Sequence, residues 1–130
     1  MFFELLMRHK LRFSEEVADL DLSAIQARTL LCIDPDEPST MSEVAQELGC
    51  GPSNITGVID KLEARGLVER RRRTGDRRIK TVAMTRKGVA LRKRLTTRLA
   101  QPAPWMVALS AEDQRNLVAI LRRALELAPT

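Results

Sequence analysis

The sequence predicts a mainly α-helical chain with one small β-hairpin between its fourth and fifth helices. Three observations carry that expectation. Apolar residues recur at helical spacing in six stretches, five of them opened by a Ser or Thr in cap position. Only one stretch reads as strand, turn, strand, and the basic residues concentrate in and just after it. At 130 residues, 44% hydrophobic and 30% charged, the chain is apolar enough to bury a core and too charged for a membrane bundle. No apolar run approaches the roughly 20 residues of a spanning helix. The start, Met1-Phe2-Phe3-Glu4, has no basic leader region, so a cytoplasmic protein is the default.

Residues 1–20 form the first helix, with Phe2, Phe3, Leu5, Leu6, Leu11, Phe13, Val17 and Leu20 on a broad apolar face. Ser23 opens the second, and Gln26 completes a capping box. Asp34-Pro35 closes it, and residues 36–39 form a loop. Thr40, with Glu43 three residues on, caps a short third helix that Gly49 ends. Ser53 caps the fourth, about 53–64, whose Ile55, Val58, Ile59 and Leu62 make one buried stripe. Ser53, Gly57, Asp60 and Ala64 lie opposite that stripe, flanked by Asn54, Thr56 and Lys61. A short helix, a tight turn and a helix with a small polar outer face make a helix-turn-helix pattern.

Two strands follow, residues 67–73 and 79–84, joined by the turn Thr74-Gly75-Asp76. A hairpin in that place is a wing. Thr85 caps a fifth helix to about Leu99, in which Gly88 costs about 1 kcal/mol against Ala. Pro102 and Pro104 break the chain, and Ser110 caps the last helix, whose Leu117, Val118, Ile120, Leu121, Ala124 and Leu125 cover more than one face. So wide an apolar surface needs two partners. A second subunit is one candidate for the second partner, and the chain's own first helix is the other.

The net charge of +5 conceals an asymmetry. Residues 1–64 carry a net −7, residues 65–98 a net +12, and residues 99–130 none. The basic segment is interleaved with Leu67, Val68, Ile79, Val82 and Met84, so it is folded structure rather than a tail. A structured basic element points to phosphate, and hence to nucleic acid. Composition argues against the main enzyme classes. There is one histidine (His9), two cysteines (Cys32 and Cys50) at no metal-binding spacing, and no nucleophile–base pair. Gly49-Cys50-Gly51 is not a dinucleotide loop, because Asn54 stands where the third glycine belongs. No cofactor, metal site or membrane partner is expected.

This order of elements, with Met41-Ser42-Glu43-Val44-Ala45-Gln46-Glu47-Leu48, the run Asn54 to Arg70, and Asp76-Arg77-Arg78 followed by Met84-Thr85-Arg86-Lys87-Gly88, resembles the multiple antibiotic resistance regulator (MarR) family of bacterial winged-helix transcription factors. The resemblance runs from about Leu22 to Leu95. It implies an obligate homodimer on a pseudo-palindromic double-stranded DNA operator, usually a repressor relieved by a small anionic or phenolic effector. The implied division is a dimerisation helix at 1–21, a winged lobe at 22–88 and C-terminal dimerisation helices at 89–130. Phe2, Leu5, Leu6, Trp105, Leu117, Leu121 and Leu125 are the dimer candidates. A ligand pocket, if the chain has one, belongs between the dimer helices and the winged lobe; its residues are unknown.

On this reading Ser53, Asn54, Thr56, Gly57 and Lys61 face the major groove, where Asn and Thr reach base edges. Ser53 has two roles open to it, as a helix cap and as a phosphate ligand. Arg77 is implied to enter the minor groove. Arg71, Arg73 and Lys80 track phosphates, with Arg70 and Arg72 on the opposite face of the strand. Arg78 is structural or binds phosphate, Gly75 shapes the turn, Asp76 orients an arginine or closes the turn, and Asp60 pairs with an arginine. Two alternatives stay open: a winged-helix module for protein or RNA, and a redox-sensing regulator using Cys50, which precedes a helix start.

Overall fold

The computed structural model of the chain describes residues 1–73 and 75–128. Thr74, Pro129 and Thr130, and the side chains of Phe2, Arg73 and Arg77, lie outside the described residues. The chain forms two compact units, residues 1–99 and 100–130. The first contains α1 (Phe2–Ala18), α2 (Ala24–Cys32), β1 (Ser39–Thr40), α3 (Met41–Leu48), α4 (Pro52–Ala64), β2 (Val68–Arg73), β3 (Asp76–Met84) and α5 (Arg86–Leu99). The second contains α6 (Pro104–Val107) and α7 (Ala111–Leu127). Inside the first unit, α1 packs against α2 and α5.

The capping residues set most helix starts. Ser23 Oγ accepts the Gln26 N–H at 3.2 Å while Gln26 Oε1 accepts the Ser23 N–H at 3.0 Å. Thr40 and Glu43 repeat this at 3.1 and 2.8 Å. Thr85 Oγ1 accepts the Gly88 N–H at 3.0 Å, and Ser110 Oγ accepts the Asp113 N–H at 3.1 Å. α4 differs from expectation. Its cap is Gly51 and its first residue is Pro52, so Ser53 sits inside the first turn and does not cap the helix. Proline suits that place because its φ is already helical and the N–H it lacks has no partner there.

The sheet has three strands in the order β1-β3-β2, all antiparallel. β1 pairs Ser39 with Val82 and Thr40 with Thr81, and the sequence reading missed it. Two polar residues carry no alternation to detect, and only their place beside β3 makes them a strand. The four-residue α6 was likewise unforeseen between the prolines. The core joins Leu30 and Ile33, Ile55, Ile59 and Leu62, Val68 and Val82, and Leu95, all buried. Among its described side chains α1 contributes its C-terminal end, with Val17 buried and Phe13 half-buried, while Phe3, Leu5, Leu6, Met7 and Leu11 are exposed.

Gly88 proves to be a close-approach glycine rather than a weak helix residue. A Cβ there would stand 1.9 Å from the Leu67 carbonyl oxygen and 2.8 Å from Met84 Cγ. Its absence lets α5 lie directly on the start of the wing.

The basic segment also closes helix ends. Arg92 donates to the Leu30 and Leu31 carbonyls at 3.1 and 3.3 Å, at the C-terminus of α2. Arg98 donates to the Glu16 carbonyl at 3.0 Å and to Asp19 at 2.9 Å, at the end of α1. Lys87 donates to the Arg65 carbonyl at 2.8 Å, past the end of α4, and Arg65 itself bonds the Asp21 carbonyl. Cations there satisfy orphan carbonyls and complement the negative end of the helix dipole.

Candidate nucleic-acid interface

With Ile55, Ile59 and Leu62 committed to the core, α4 leaves Ser53, Asn54, Thr56, Gly57, Asp60 and Lys61 exposed. Nothing lies within 4 Å of where a Gly57 Cβ would stand, so this face is open to a close neighbour. Thr56 Oγ1 donates back to the Pro52 carbonyl at 2.9 Å. Its proton is committed within the helix, which leaves the hydroxyl oxygen free to act as an acceptor. Ser53 makes no capping bond, which leaves its hydroxyl beside the helix start.

The wing is held to α4 by Arg70. Its backbone N–H donates to Glu63 Oε2 at 2.9 Å, its Nη1 to Glu63 Oε1 at 3.2 Å, and its Nη2 bonds Asp60 Oδ1. The hydrogen bond to Asp60 is the main cause of a raised Arg70 pKa, so the guanidinium is charged throughout. The expected partner of Asp60 is thus identified as a wing arginine.

The strand register sorts the remaining cations. Arg70 faces Val82, Arg71 faces Thr81 and Arg72 faces Lys80. Directly opposed residues share a face of the sheet. Lys80 therefore lies with Arg70 and Arg72, and Arg71 lies on the other face beside Glu69, to which its Nε donates at 2.8 Å. Arg71 and Lys80, both expected to track phosphates, therefore lie on opposite faces of the sheet. Arg72, expected to point away from the phosphate-tracking residues, shares the face of Lys80. It is exposed and stands opposite Lys80 at the outer end of the same face. The pairing shifts between Arg72 and Arg73.

At the tip, Gly75 has a φ of 99°, and Asp76 Oδ1 accepts the Arg78 N–H at 3.0 Å. Arg78 and Lys80 are exposed. The side chains of Arg73 and Arg77 are outside the described residues, as is Phe2 among the dimer candidates. Between α3, α4 and the sheet runs a groove of about 420 Å³ lined by Met41, Ser42, Ala45, Pro52, Ile55, Thr56, Arg70 and Lys80. The start of α4 and one face of the wing thus border a single concave surface.

The charge reading is narrowed accordingly. Arg65, Arg70, Lys87, Arg92 and Arg98 bond to carbonyls or carboxylates of the chain itself. Arg72, Arg78 and Lys80 are exposed wing cations, and Arg71 is exposed beside Glu69 on the other face. Of the other candidates, Cys50 is half-buried against the core, with its thiol toward the Leu48 carbonyl at 3.6 Å. Trp105, Leu5, Leu6, Leu121 and Leu125 are exposed and Leu117 is half-buried. Among the described residues no group of three or more His, Cys, Asp or Glu is placed to hold a metal, and no helix is long and apolar enough to cross a membrane.

The MarR family model matches residues 22–80, the stretch that contains α2, the helix-turn-helix and most of the wing. Over that stretch the chain matches the MarR family. It is therefore a winged-helix transcriptional regulator of the DNA-binding type and not an enzyme. Over 120 residues it is 28% identical to the transcriptional repressor NicR of Pseudomonas putida, covering 92% of this chain and 76% of NicR. Among solved structures, wild-type MarR of E. coli superposes with a TM-score of 0.83 at 24% identity, covering 95% and 94% of the two chains. A variant of S. aureus MepR bound to an oligodeoxyribonucleotide gives 0.67 at 22% identity, covering 96% and 94%. At these identities the two structures speak for the fold alone.

Proposed function

We propose that the chain is a cytoplasmic homodimeric repressor that places α4 in the major groove and the β2–β3 wing in the adjacent minor groove of a pseudo-palindromic operator. The observation that carries this reading is the outer face of α4. It is small, polar and open at Ser53, Asn54, Thr56 and Gly57, and it adjoins a wing face bearing Arg72 and Lys80. Asn54 and Thr56 read base edges. Ser53, Arg72, Arg78 and Lys80 hold phosphates and so fix the register of the protein on the duplex. Arg77 enters a narrow minor groove. That a MepR variant of the same fold binds an oligodeoxyribonucleotide supports DNA as the partner.

The dimer reading is supported by apolar residues that one chain leaves uncovered. Leu5, Leu6 and Leu11 on α1, and Ile120, Leu121, Leu125 and Leu127 on α7, are all exposed. A small-molecule effector bound between the dimer helices and the winged lobe would release DNA by biasing the spacing of the two α4 helices.

The test starts with duplexes enriched from a random pool by the unmodified protein. Arg77→Ala is expected to abolish tight operator binding in a gel-shift titration while size exclusion still shows a dimer. Undiminished operator affinity removes Arg77 from the interface. A monomer at all concentrations, or preference for RNA over duplex DNA, overturns the reading in favour of a different winged-helix module.

A further inference from the structure

We propose that Arg70 is a positioning residue for sequence reading: it fixes α4 against the wing and neutralises Asp60, and it does not itself bind phosphate. This rests on the DNA-binding reading above and goes beyond it by giving a basic wing residue and an acidic helix residue one joint role.

Asp60 lies two turns beyond Ser53 on the same side of α4, with its side chain 59% exposed. Alone, a carboxylate there would repel a phosphate backbone. The Arg70 guanidinium, 27% exposed, bonds it from the wing and bonds Glu63 with the other arm of the fork. Glu63 in turn accepts the Arg70 backbone N–H, so the pairing grips the strand itself as well as its side chain. Three hydrogen bonds thus cross from β2 to α4. A planar fork with two fixed arms meets two carboxylates at a set distance, which an ammonium on a flexible stem does not do. Arg70 also lines the groove beside Thr56 and Lys80. A phosphate contact by Arg70 is therefore the opposing hypothesis, and the two make different predictions about salt.

The experiment measures affinity for the enriched duplex and for a random-sequence duplex over a salt series. Each lost phosphate contact lowers the salt slope by about 0.9, and a dimer doubles this. For Arg70→Gln the positioning role predicts an unchanged slope and at least a tenfold fall in the ratio of operator to random affinity. A slope lower by about 2, with both duplexes weakened alike, overturns it.

Asp60→Asn gives a second measurement on a surface residue whose loss leaves the core untouched. It removes a negative charge from the DNA side, so electrostatics alone predicts tighter binding to both duplexes. The positioning role predicts the same loss of ratio as Arg70→Gln, and a double variant no worse than either single one. Additive losses, or a ratio fully retained in Arg70→Lys, would overturn the proposal. If the unmodified protein enriches no duplex and shows no salt dependence on random DNA, the DNA reading fails first. That outcome is visible before any variant is made.

Discussion

Gly88→Ala is expected to destabilise the protein although it improves helix propensity. The added Cβ would meet the Leu67 carbonyl oxygen at 1.9 Å, the Leu67 carbonyl carbon at 3.0 Å and Met84 Cγ at 2.8 Å. The methionine side chain can turn aside, but the carbonyl cannot. It belongs to the backbone entering β2 and accepts the Thr85 N–H at 3.1 Å. Relief requires α5 to retreat by more than about 1 Å, since ordinary carbon–oxygen contacts begin near 3.3 Å. That movement strains the Thr85 hydroxyl bond to the Gly66 carbonyl, 2.6 Å, and the Lys87 bond to the Arg65 carbonyl, 2.8 Å. Overpacking costs about 1–3 kcal/mol and each weakened hydrogen bond about 0.5–1.5 kcal/mol. Helix propensity returns about 1 kcal/mol. The balance is a loss of about 1–5 kcal/mol, or roughly 4–20 °C in melting temperature for a chain of this size.

Gly57→Ala is the matched control. It is also a helical glycine, with nothing within 4 Å of the added carbon, and is expected to raise stability by about 0.5–1 kcal/mol. Thermal unfolding followed by circular dichroism at one protein concentration compares the two, the fixed concentration removing any shift from oligomerisation. A Gly88→Ala protein as stable as the unmodified one would falsify the close-approach argument.

Three further outcomes follow from the same geometry. Thr40→Ala removes the hydroxyl that caps α3 and is expected to cost about 1 kcal/mol in urea unfolding; a change below a few tenths would show that the box contributes little. Arg92→Met keeps the side-chain stem but leaves the Leu30 and Leu31 carbonyls unbonded, with an expected loss of about 1–3 kcal/mol and faster amide exchange in the last turn of α2; unchanged exchange there contradicts the clamp. Burial, with Glu47 adding to it and Arg28 opposing it, pushes the Cys32 thiol pKa up. As pH rises the unfolded chain therefore loses this proton first, and the thiol's contribution to stability is present below the ordinary thiol range and lost as pH climbs through the raised folded value. Alkylation read by peptide mapping at pH 8 is expected to be at least about tenfold slower at Cys32 in the folded chain than in the denatured one, and equal rates would refute the shift.

Local chemistry was legible before any coordinates. The Ser23–Gln26 and Thr40–Glu43 boxes, the buried stripe of α4 and the Asp76 turn each depend on residues within a few positions of one another, so spacing alone reveals them. The start of α4 was misread by one feature, because Ser53 is a good cap on its own but Pro52 before it is a better first residue. The face of the wing that carries Lys80 was not legible. Alternation says that Arg70 and Arg72 oppose Arg71, but only the pairing of Arg72 with Lys80 says which of them the second strand joins.

The sequence by itself determined the six main helices, the hairpin and the existence of a basic segment, because these follow from short-range periodicity, caps and composition. Tertiary structure decided how that basic charge is spent. Arg92 and Arg98 reach carbonyls 62 and 82 residues away, and Arg70 reaches back ten residues to Asp60. It decided too that Gly88 is needed rather than tolerated, because the carbonyl it makes room for is 21 positions earlier in the chain. Charge and glycine look alike along a sequence wherever they fall; what they do depends on what the fold brings within about 3 Å of them.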